Sequence, residues 1–400
     1  MIRKALSLYR DAYSDHPRSI WVLTWVTLIN RLGTMVLPFL AVYTKTVLGF
    51  SLQEVGLLAS AFGIGSLGGA LLGGYLTDRL GPRVVIFFSL LLGGVCFLLL
   101  QFAQTFDSLF VMILVTALFG EAYRPAMNAA AGQFVSKHQT GRTMALIRLA
   151  INIGMSLAPV LGGVVATTLG YNWLFWIDGM TCIGASIYFF FNSQKWSRPQ
   201  KSESSDQRKT SLHPLRNVSY MWFLVGTFLF SFIFLQWFHT VPVFVKDHWG
   251  FDERYIGLLL GFASLMVAIL EMPWIHAIEI KGQKLAALLW GSLLVGLSYL
   301  VFLGPKSIWV GFGAVFFWTL GEILFLPLNN ASALDQSPVD RRGQYMSGYF
   351  MTWSLANISA PLLGFHIISI AGYSTFWWVL AAAGVACFVI NKKSRTSTPE

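Results

Sequence analysis

The chain has 400 residues and a formal net charge of +10, is 55% apolar and only 12% charged, and has a mean hydropathy of +0.62. Soluble domains carry about a quarter of their residues as charges, so this composition excludes an ordinary soluble fold. Apolar runs of about 18 residues or more recur along it, each long enough to cross roughly 30 Å of hydrocarbon as a helix and too long for barrel strands.

Twelve spans are read, roughly at 19–44, 52–76, 84–105, 107–132, 143–168, 171–192, 217–244, 253–277, 285–304, 307–332, 344–371 and 373–391. With both ends inside, 21 Lys and Arg fall on one side, Arg3, Lys4, Arg10, Arg18, Lys137, Arg142, Arg341, Arg342, Lys392 and Lys393 among them. Only Lys45, Lys246, Arg254 and Lys306 fall on the other. Basic residues mark the cytoplasmic side, so the charge reports topology with both termini inside, and no nucleic-acid partner is called for. The first apolar run is too long for a cleaved signal and is read as the first span. Cys96, Cys182 and Cys387 lie inside spans without metal-ligand spacing and are read as packing residues.

Residues 1–18 are polar and amphipathic and are expected along the headgroups. The first span carries Asn30 and Arg31 near mid-membrane, where an arginine needs a partner or water. The second contains Gly65, Gly69 and Gly73, a small-residue ridge that lets backbones approach. The turn after it reads Gly74-Tyr75-Leu76-Thr77-Asp78-Arg79-Leu80-Gly81-Pro82-Arg83. The fourth span holds Glu121 and Arg124, three apart and so on one helical face, as a structural ion pair or as a substrate or proton site. The fifth brings Arg148, then Gly154, Ala158, Pro159, Gly162 and Gly163 in a bendable, closely packed stretch. Asp178 in the sixth is a proton site or the partner of a neighbouring donor. The polar stretch 193–216 is a flexible tether.

Beyond it the chain repeats itself. Pro125, Asn128, Gly141, Met144, Pro159 and Gly162 recur at an offset of 202 as Pro327, Asn330, Gly343, Met346, Pro361 and Gly364. Gly49, Phe50, Gly56, Asp78 and Glu121 recur at 201 as Gly250, Phe251, Gly257, Glu279 and Glu322. One unit of about 200 residues is therefore duplicated, as in secondary transporters that work between two halves at the midplane. The second half adds Gln236 and His239 in the seventh span, Glu271 in the eighth and Glu322 in the tenth. Glu322 mirrors Glu121 without a basic residue within one turn, and a carboxyl shut off from water can load and release a proton.

In the turn after the second span, Gly74, Asp78, Arg79, Gly81 and Arg83 resemble the signature of the major facilitator superfamily, with Pro82 where a basic residue is more usual. The resemblance implies an all-α membrane protein with twelve transmembrane helices in two pseudo-symmetric six-helix bundles, residues 1–192 and 217–400 joined by a cytoplasmic linker. It implies that Asp78 latches one state by capping a helix of the other half, an arrangement an anion at a helix N-terminus would favour. Gly154 to Gly163 is similar to the fifth-helix motif of proton-coupled drug antiporters, with Ala158 for one glycine, although Ala360, Pro361 and Gly364 repeat part of it. Arg124-Pro125 with Asn128, and Gly321-Glu322, are also similar to proton-coupled peptide symporters. The first span keeps their arginine as Arg31 and lacks their glutamates.

The expectation is a monomeric, proton-coupled carrier in the cell (inner) membrane that exports lipophilic or cationic small molecules, with a bilayer, protons and a small solute as its partners and no cofactor or metal. Glu322, Glu271 and Asp178 are the proton-coupling candidates. Asn30, Arg31, Glu121, Arg124, Arg148, Gln236 and His239 are the solute-binding candidates. Three buried arginines keep a second reading open, symport or export of an anionic or zwitterionic solute such as a peptide or siderophore. A non-transporting receptor is the remote alternative. No His-Glu-x-x-His and no Gly-x-Ser-x-Gly occurs, so nothing points to an enzyme.

Overall fold

The computed structural model describes residues 16–134, 140–194, 196, 214–338 and 341–396. Residues 1–15, most of the tether, Lys137 and the last four residues lie outside it, and with them the expected headgroup segment. Among the described residues every regular element is a helix. They form α1 (Arg18–Leu32), α2 (Val36–Thr46), α3 (Leu52–Leu80), α4 (Pro82–Leu100), α5 (Phe106–Gln133), α6 (Thr140–Thr168) and α7 (Tyr171–Asn192). After the tether come α8 (Val218–Val243), α9 (Glu253–Ile280), α10 (Lys284–Ser298), α11 (Ile308–Asp335) and α12 (Arg342–Thr396).

Eleven stretches among the described residues are long and apolar enough to cross a membrane. The expected first span is α1 and α2 in series, broken at Gly33. The last stretch, Gln344–Lys393, has 50 residues, and Gly372 interrupts it at φ 77°, between the expected eleventh and twelfth spans. At 1.5 Å per residue such a stretch far exceeds one hydrocarbon thickness.

The turns carry the duplication in their backbone. The described glycines with positive φ are Gly49 (74°), Gly81 (88°), Gly170 (94°), Gly250 (66°), Gly282 (64°) and Gly372 (77°). They pair across the repeat, Gly49 with Gly250 and Gly81 with Gly282 at an offset of 201, and Gly170 with Gly372 at 202. Each stands where the chain reverses, in a conformation that a Cβ would strain. Gly81 also precedes Pro82, the first residue of α4, where a missing N–H costs nothing.

By packing, the chain forms two compact units, Met1–Leu37 with Ile64–Ser202, and Pro38–Gly63 with Glu203–Glu400. In the first unit, α3 lies on α5 backbone to backbone. A Cβ on Gly65, Gly69 or Gly73 would fall on the carbonyl oxygens of Leu114, Leu118 and Ala122. Both series step by four residues, so the ridge expected from the glycine spacing meets a matching groove. In the second unit, Gly56, Ser60 and Gly63 of α3 lie against the Pro361 segment of α12. Ser60 Oγ donates to the carbonyl of Ile358 at 2.9 Å, and Gln53 Nε2 to Ser369 Oγ at 3.4 Å. The core of this unit is aromatic: Phe230 stacks on Phe325 at 3.6 Å between centroids, Phe234 on Trp318 at 4.7 Å and Trp237 on Trp318 at 5.2 Å.

Candidate functional site

In the first unit the polar side chains gather around the break between α1 and α2. Helix α1 ends at Leu32, and Gly33 to Met35 depart from it before α2 begins at Val36. The carboxylate of Asp178, on α7 and fully buried, takes both backbone amides beyond the break: Met35 N–H donates to Oδ1 at 2.9 Å and Val36 N–H to Oδ2 at 2.8 Å. A helix start leaves such amides without acceptors, and an anion there satisfies them and the helix dipole together. Asp178 thus sits with neighbouring donors, one of its two sequence-based readings. Helix α1 rests directly on α7 here, because a Cβ on Gly33 would overlap the Thr181 hydroxyl. Asn30 Nδ2 donates to Cys182 Sγ at 3.3 Å on the same α7 face.

Arg31 points the other way. A Cβ on Gly154 of α6 would overlap the Cβ of Arg31, so the glycine of the helix-packing motif is the seat of this arginine. Arg31 is half-buried, and its Nε is buried without a hydrogen-bond partner among the described residues. Arg124 and Glu121 of α5 lie within its electrostatic reach. Those two pair with each other, Arg124 Nε to Glu121 Oε2 at 2.9 Å, as the three-residue spacing predicts. The pair is open on the arginine side, whose side chain is 59% exposed against 18% for the glutamate. Between them Tyr123 turns inward and shares a 2.7 Å hydrogen bond with the Thr27 hydroxyl of α1. Arg148 is exposed on α6, while Ala158, Gly162 and Gly163 of the motif are buried and Pro159 lies within α6.

In the second unit Gln236 is fully buried in α8 and donates from Nε2 to the carbonyl of Ala360 at 2.8 Å; its Oε1, close to Gly364, is buried without a partner among the described residues. His239 is half-buried with Nε2 in the same condition. Glu322 is half-buried on α11 and Glu271 half-buried on α9. Three residues after Glu322, where the first copy has Arg124, stands the stacked ring of Phe325. Trp318, one turn before Glu322, joins Phe234 and Trp237 in the aromatic core.

The latch residues, expected in a turn after the second span, are mostly helical: α3 runs on to Leu80 and takes in Gly74, Asp78 and Arg79, Arg83 lies in the first turn of α4, and Gly81 alone of the five stands between the helices. Asp78 is exposed, Gly74 is half-buried, and Arg79 lies 4.5 Å over the Tyr75 ring. Arg83 reaches the residues just after α7, its Nε donating to Ser193 Oγ and its Nη1 to the carbonyl of Gln194, both at 3.3 Å.

Sequence reasoning passed over Gly33, Thr27, Tyr123 and Thr181. A glycine two residues after a mid-membrane arginine was the available signal for the break, and a tyrosine between Glu121 and Arg124 the signal for the inward face. Among the described residues, no group of three or more His, Cys, Asp and Glu side chains is placed to hold a metal ion.

The family model described as Major Facilitator Superfamily matches residues 23–270 and 240–399. The chain is 23% identical over 387 residues to a Na(+), Li(+), K(+)/H(+) antiporter of Planococcus maritimus, covering 89% of this chain and 90% of that one. It is 21% identical over 390 residues to the quinolone resistance protein NorA of Staphylococcus aureus, covering 96% and 99%. In fold it is similar to a point mutant of the peptide transporter POT solved with alafosfalin, with a TM-score of 0.80 at 16% identity and 96% of each chain covered. The signature turn, the duplicated frame and the matched family model agree: this chain is a transporter of the Major Facilitator Superfamily, a multi-pass membrane protein.

Proposed function

We propose that the protein is a proton-coupled secondary transporter that exports lipophilic, cationic or amphiphilic small molecules by alternating access. Its twelve crossings form two six-helix bundles with both termini in the cytoplasm of the cell that carries it in its inner membrane. The reading is supported by the antiporter and the quinolone resistance protein, which match this chain over about nine-tenths or more of both lengths. The observation that carries it is the divergence of two carboxyls that began as one. Glu121 is bound to Arg124, whereas Glu322 has the ring of Phe325 at the corresponding place. A carrier must penalise the crossing of a half-loaded site, and a half-buried carboxylate within a span, as Glu322 is, supplies that penalty when ionised until a proton or a cation removes it. Glu322 is the leading proton carrier, with Glu271 and Asp178 behind it.

One observation favours a second reading for the solute. The carboxylates near Arg31 are committed, Glu121 to Arg124 and Asp178 to two amides, while the buried Nε of Arg31 has no described partner. A carboxylate or similar anionic group on the solute would complete it. Gln236 and His239, each with a buried polar atom lacking a described partner, are the solute contacts of the second unit.

The test is transport by the purified chain in vesicles under an imposed pH gradient, with ethidium as a lipophilic cation and norfloxacin as a quinolone bearing a carboxylate. Gradient-driven movement is expected for wild type and should vanish in Glu322→Gln; retention there removes Glu322 as the carrier. If Arg31→Ala abolishes norfloxacin transport and spares ethidium, the anionic-group reading displaces the purely cationic one.

A further inference from the structure

The break in the first span lies two residues after Arg31, and everything that fixes it comes from one face of α7. Thr181 and Cys182 lie three and four residues after Asp178 and so share that face with it. Asp178 takes the amides of Met35 and Val36, Thr181 fills the space a side chain at Gly33 would need, and Cys182 accepts from Asn30. From the opposite side Gly154 admits the Cβ of Arg31. The arginine is thus held between two helices, with the backbone after it set by α7 and its Cβ seated on α6.

The hydrogen bonds show what Asp178 displaces. In an uninterrupted α-helix the amide of Met35 would donate to the carbonyl of Arg31 and that of Val36 to the carbonyl of Leu32, four residues back. Here the Arg31 carbonyl instead receives the amide of Thr34 at 3.2 Å and the Thr34 hydroxyl at 2.7 Å. Without an acceptor on α7 the two amides would be buried and unpaired, a cost that the chain escapes by closing the helix. Closing it turns Arg31 relative to α6, because the residues on either side of the break would then follow one helical screw.

We propose that Asp178 is a positioning residue for solute recognition: by holding the first span open at Gly33–Thr34 it aims Arg31 at the anionic group of the solute. This rests on the reading that Arg31 contacts the solute. It gives Asp178 a task that needs an acceptor of two N–H groups and no transfer of a proton.

Proline separates that task from proton carriage. Val36 is the first residue of α2, where proline is accommodated and has no N–H to satisfy, and a proline there cannot donate to Leu32. Val36→Pro should therefore keep the span broken without the carboxylate. In Asp178→Asn the amide oxygen still accepts from one backbone N–H and the amide nitrogen meets the other, so the pin is half lost. The measurements are norfloxacin transport by the full chain in vesicles and hydrogen exchange over residues 30–40 by mass spectrometry.

Asp178→Asn is expected to raise KM for norfloxacin about tenfold, with Vmax changed less than about twofold, and to speed exchange at residues 33–37. Adding Val36→Pro should return KM to within about threefold of wild type. If Asp178→Asn instead removes Vmax and Val36→Pro does not restore it, Asp178 carries the proton and the proposal fails. Unchanged KM and unchanged exchange overturn it as well. Should Asp178→Asn not fold, recovery of folded protein by Val36→Pro supports the pin and lack of recovery overturns it. Arg31→Gln keeps the two readings apart. If it leaves KM unchanged, the solute contact is wrong, and exchange in the two Asp178 variants alone then decides whether the carboxylate holds the break.

Discussion

Glu121 and Glu322 occupy the same place in the two copies of the repeat, yet Arg124 stands three residues after the first and Phe325 after the second. The contrast extends outward from that point. At the offset of 201 that Gly49 and Gly250 set, Gly33, Thr34 and Met35, where the first span breaks, correspond to Phe234, Leu235 and Gln236, over which α8 runs without interruption. Asp178, which holds the break, corresponds at the offset of 202 that Gly170 and Gly372 set to the buried Leu380. Around the break the first copy satisfies amides and charges one by one, beside an aliphatic core of its own. The second centres on stacked rings, with Gln236 and Thr227 bonded among them. Duplication preserved the turns and the helix order, since these depend on glycine conformations and span lengths, and left the interior chemistry free to diverge.

The largest effect expected from this contrast is at Asp178. Asp178→Leu gives the first copy the residue of the second and strands two buried amides, each worth about 1–3 kcal/mol unpaired, so a loss of about 4 kcal/mol is expected in denaturant or thermal unfolding in detergent. A loss below about 1 kcal/mol would show that the break stands without the carboxylate, and the contrast between the copies would lose its centre. Next is Trp237→Ala. Trp237 is 1% exposed and touches Trp318, Phe302 and Tyr299, so its removal should cost about 3 kcal/mol by the same measurement. A near-neutral result would mean that the second core is not held by its rings.

How much of this was legible follows from which interactions leave a trace in sequence. The Glu121–Arg124 pair could be read because two ions three residues apart on a helix must meet. The Gly65, Gly69 and Gly73 ridge could be read because small residues at helical spacing have one common use. Gly49 and Gly250 appeared as a repeat pair; Gly81 with Gly282 and Gly170 with Gly372 sat at the same offsets and became visible only through their φ angles. The break at Gly33 left only a weak trace, one glycine after a mid-membrane arginine in a run whose length fits a single span. The partners of Asp178 were hidden for a deeper reason: they are backbone amides, which every residue but proline carries. The seat of Arg31 on Gly154 joins two spans more than a hundred residues apart, and no local pattern announces it.

The Arg124–Glu121 pair should matter less to stability than its place suggests. Its arginine is 59% exposed, so Arg124→Gln is expected to cost under about 1 kcal/mol in thermal unfolding. A larger loss would mean that the pair is part of the first core, as the rings are of the second.

The smallest expected effect is also the closest comparison between the copies. In the first unit the Thr27 hydroxyl of α1 meets Tyr123 of α5 at 2.7 Å; in the second, Thr227 of α8 meets Asn329 of α11, with Oγ1 to Oδ1 at 3.4 Å and Nδ2 to Oγ1 at 3.2 Å. Each pair ties the first span of its repeat to the fourth. Hydrogen bonds between membrane helices contribute about 0.6 kcal/mol on average in double-mutant cycles, because the separated helices find other partners. The cycle of Thr27→Val with Tyr123→Phe should reach or exceed that value, since its bond is short and both its residues are buried. The cycle of Thr227→Val with Asn329→Leu should fall below it, the bonds being long and the threonine already donating to the carbonyl of Phe223 at 3.0 Å. If the second cycle proves the stronger, the division of the molecule into a half held by specific polar bonds and a half held by contact is wrong where it is easiest to measure.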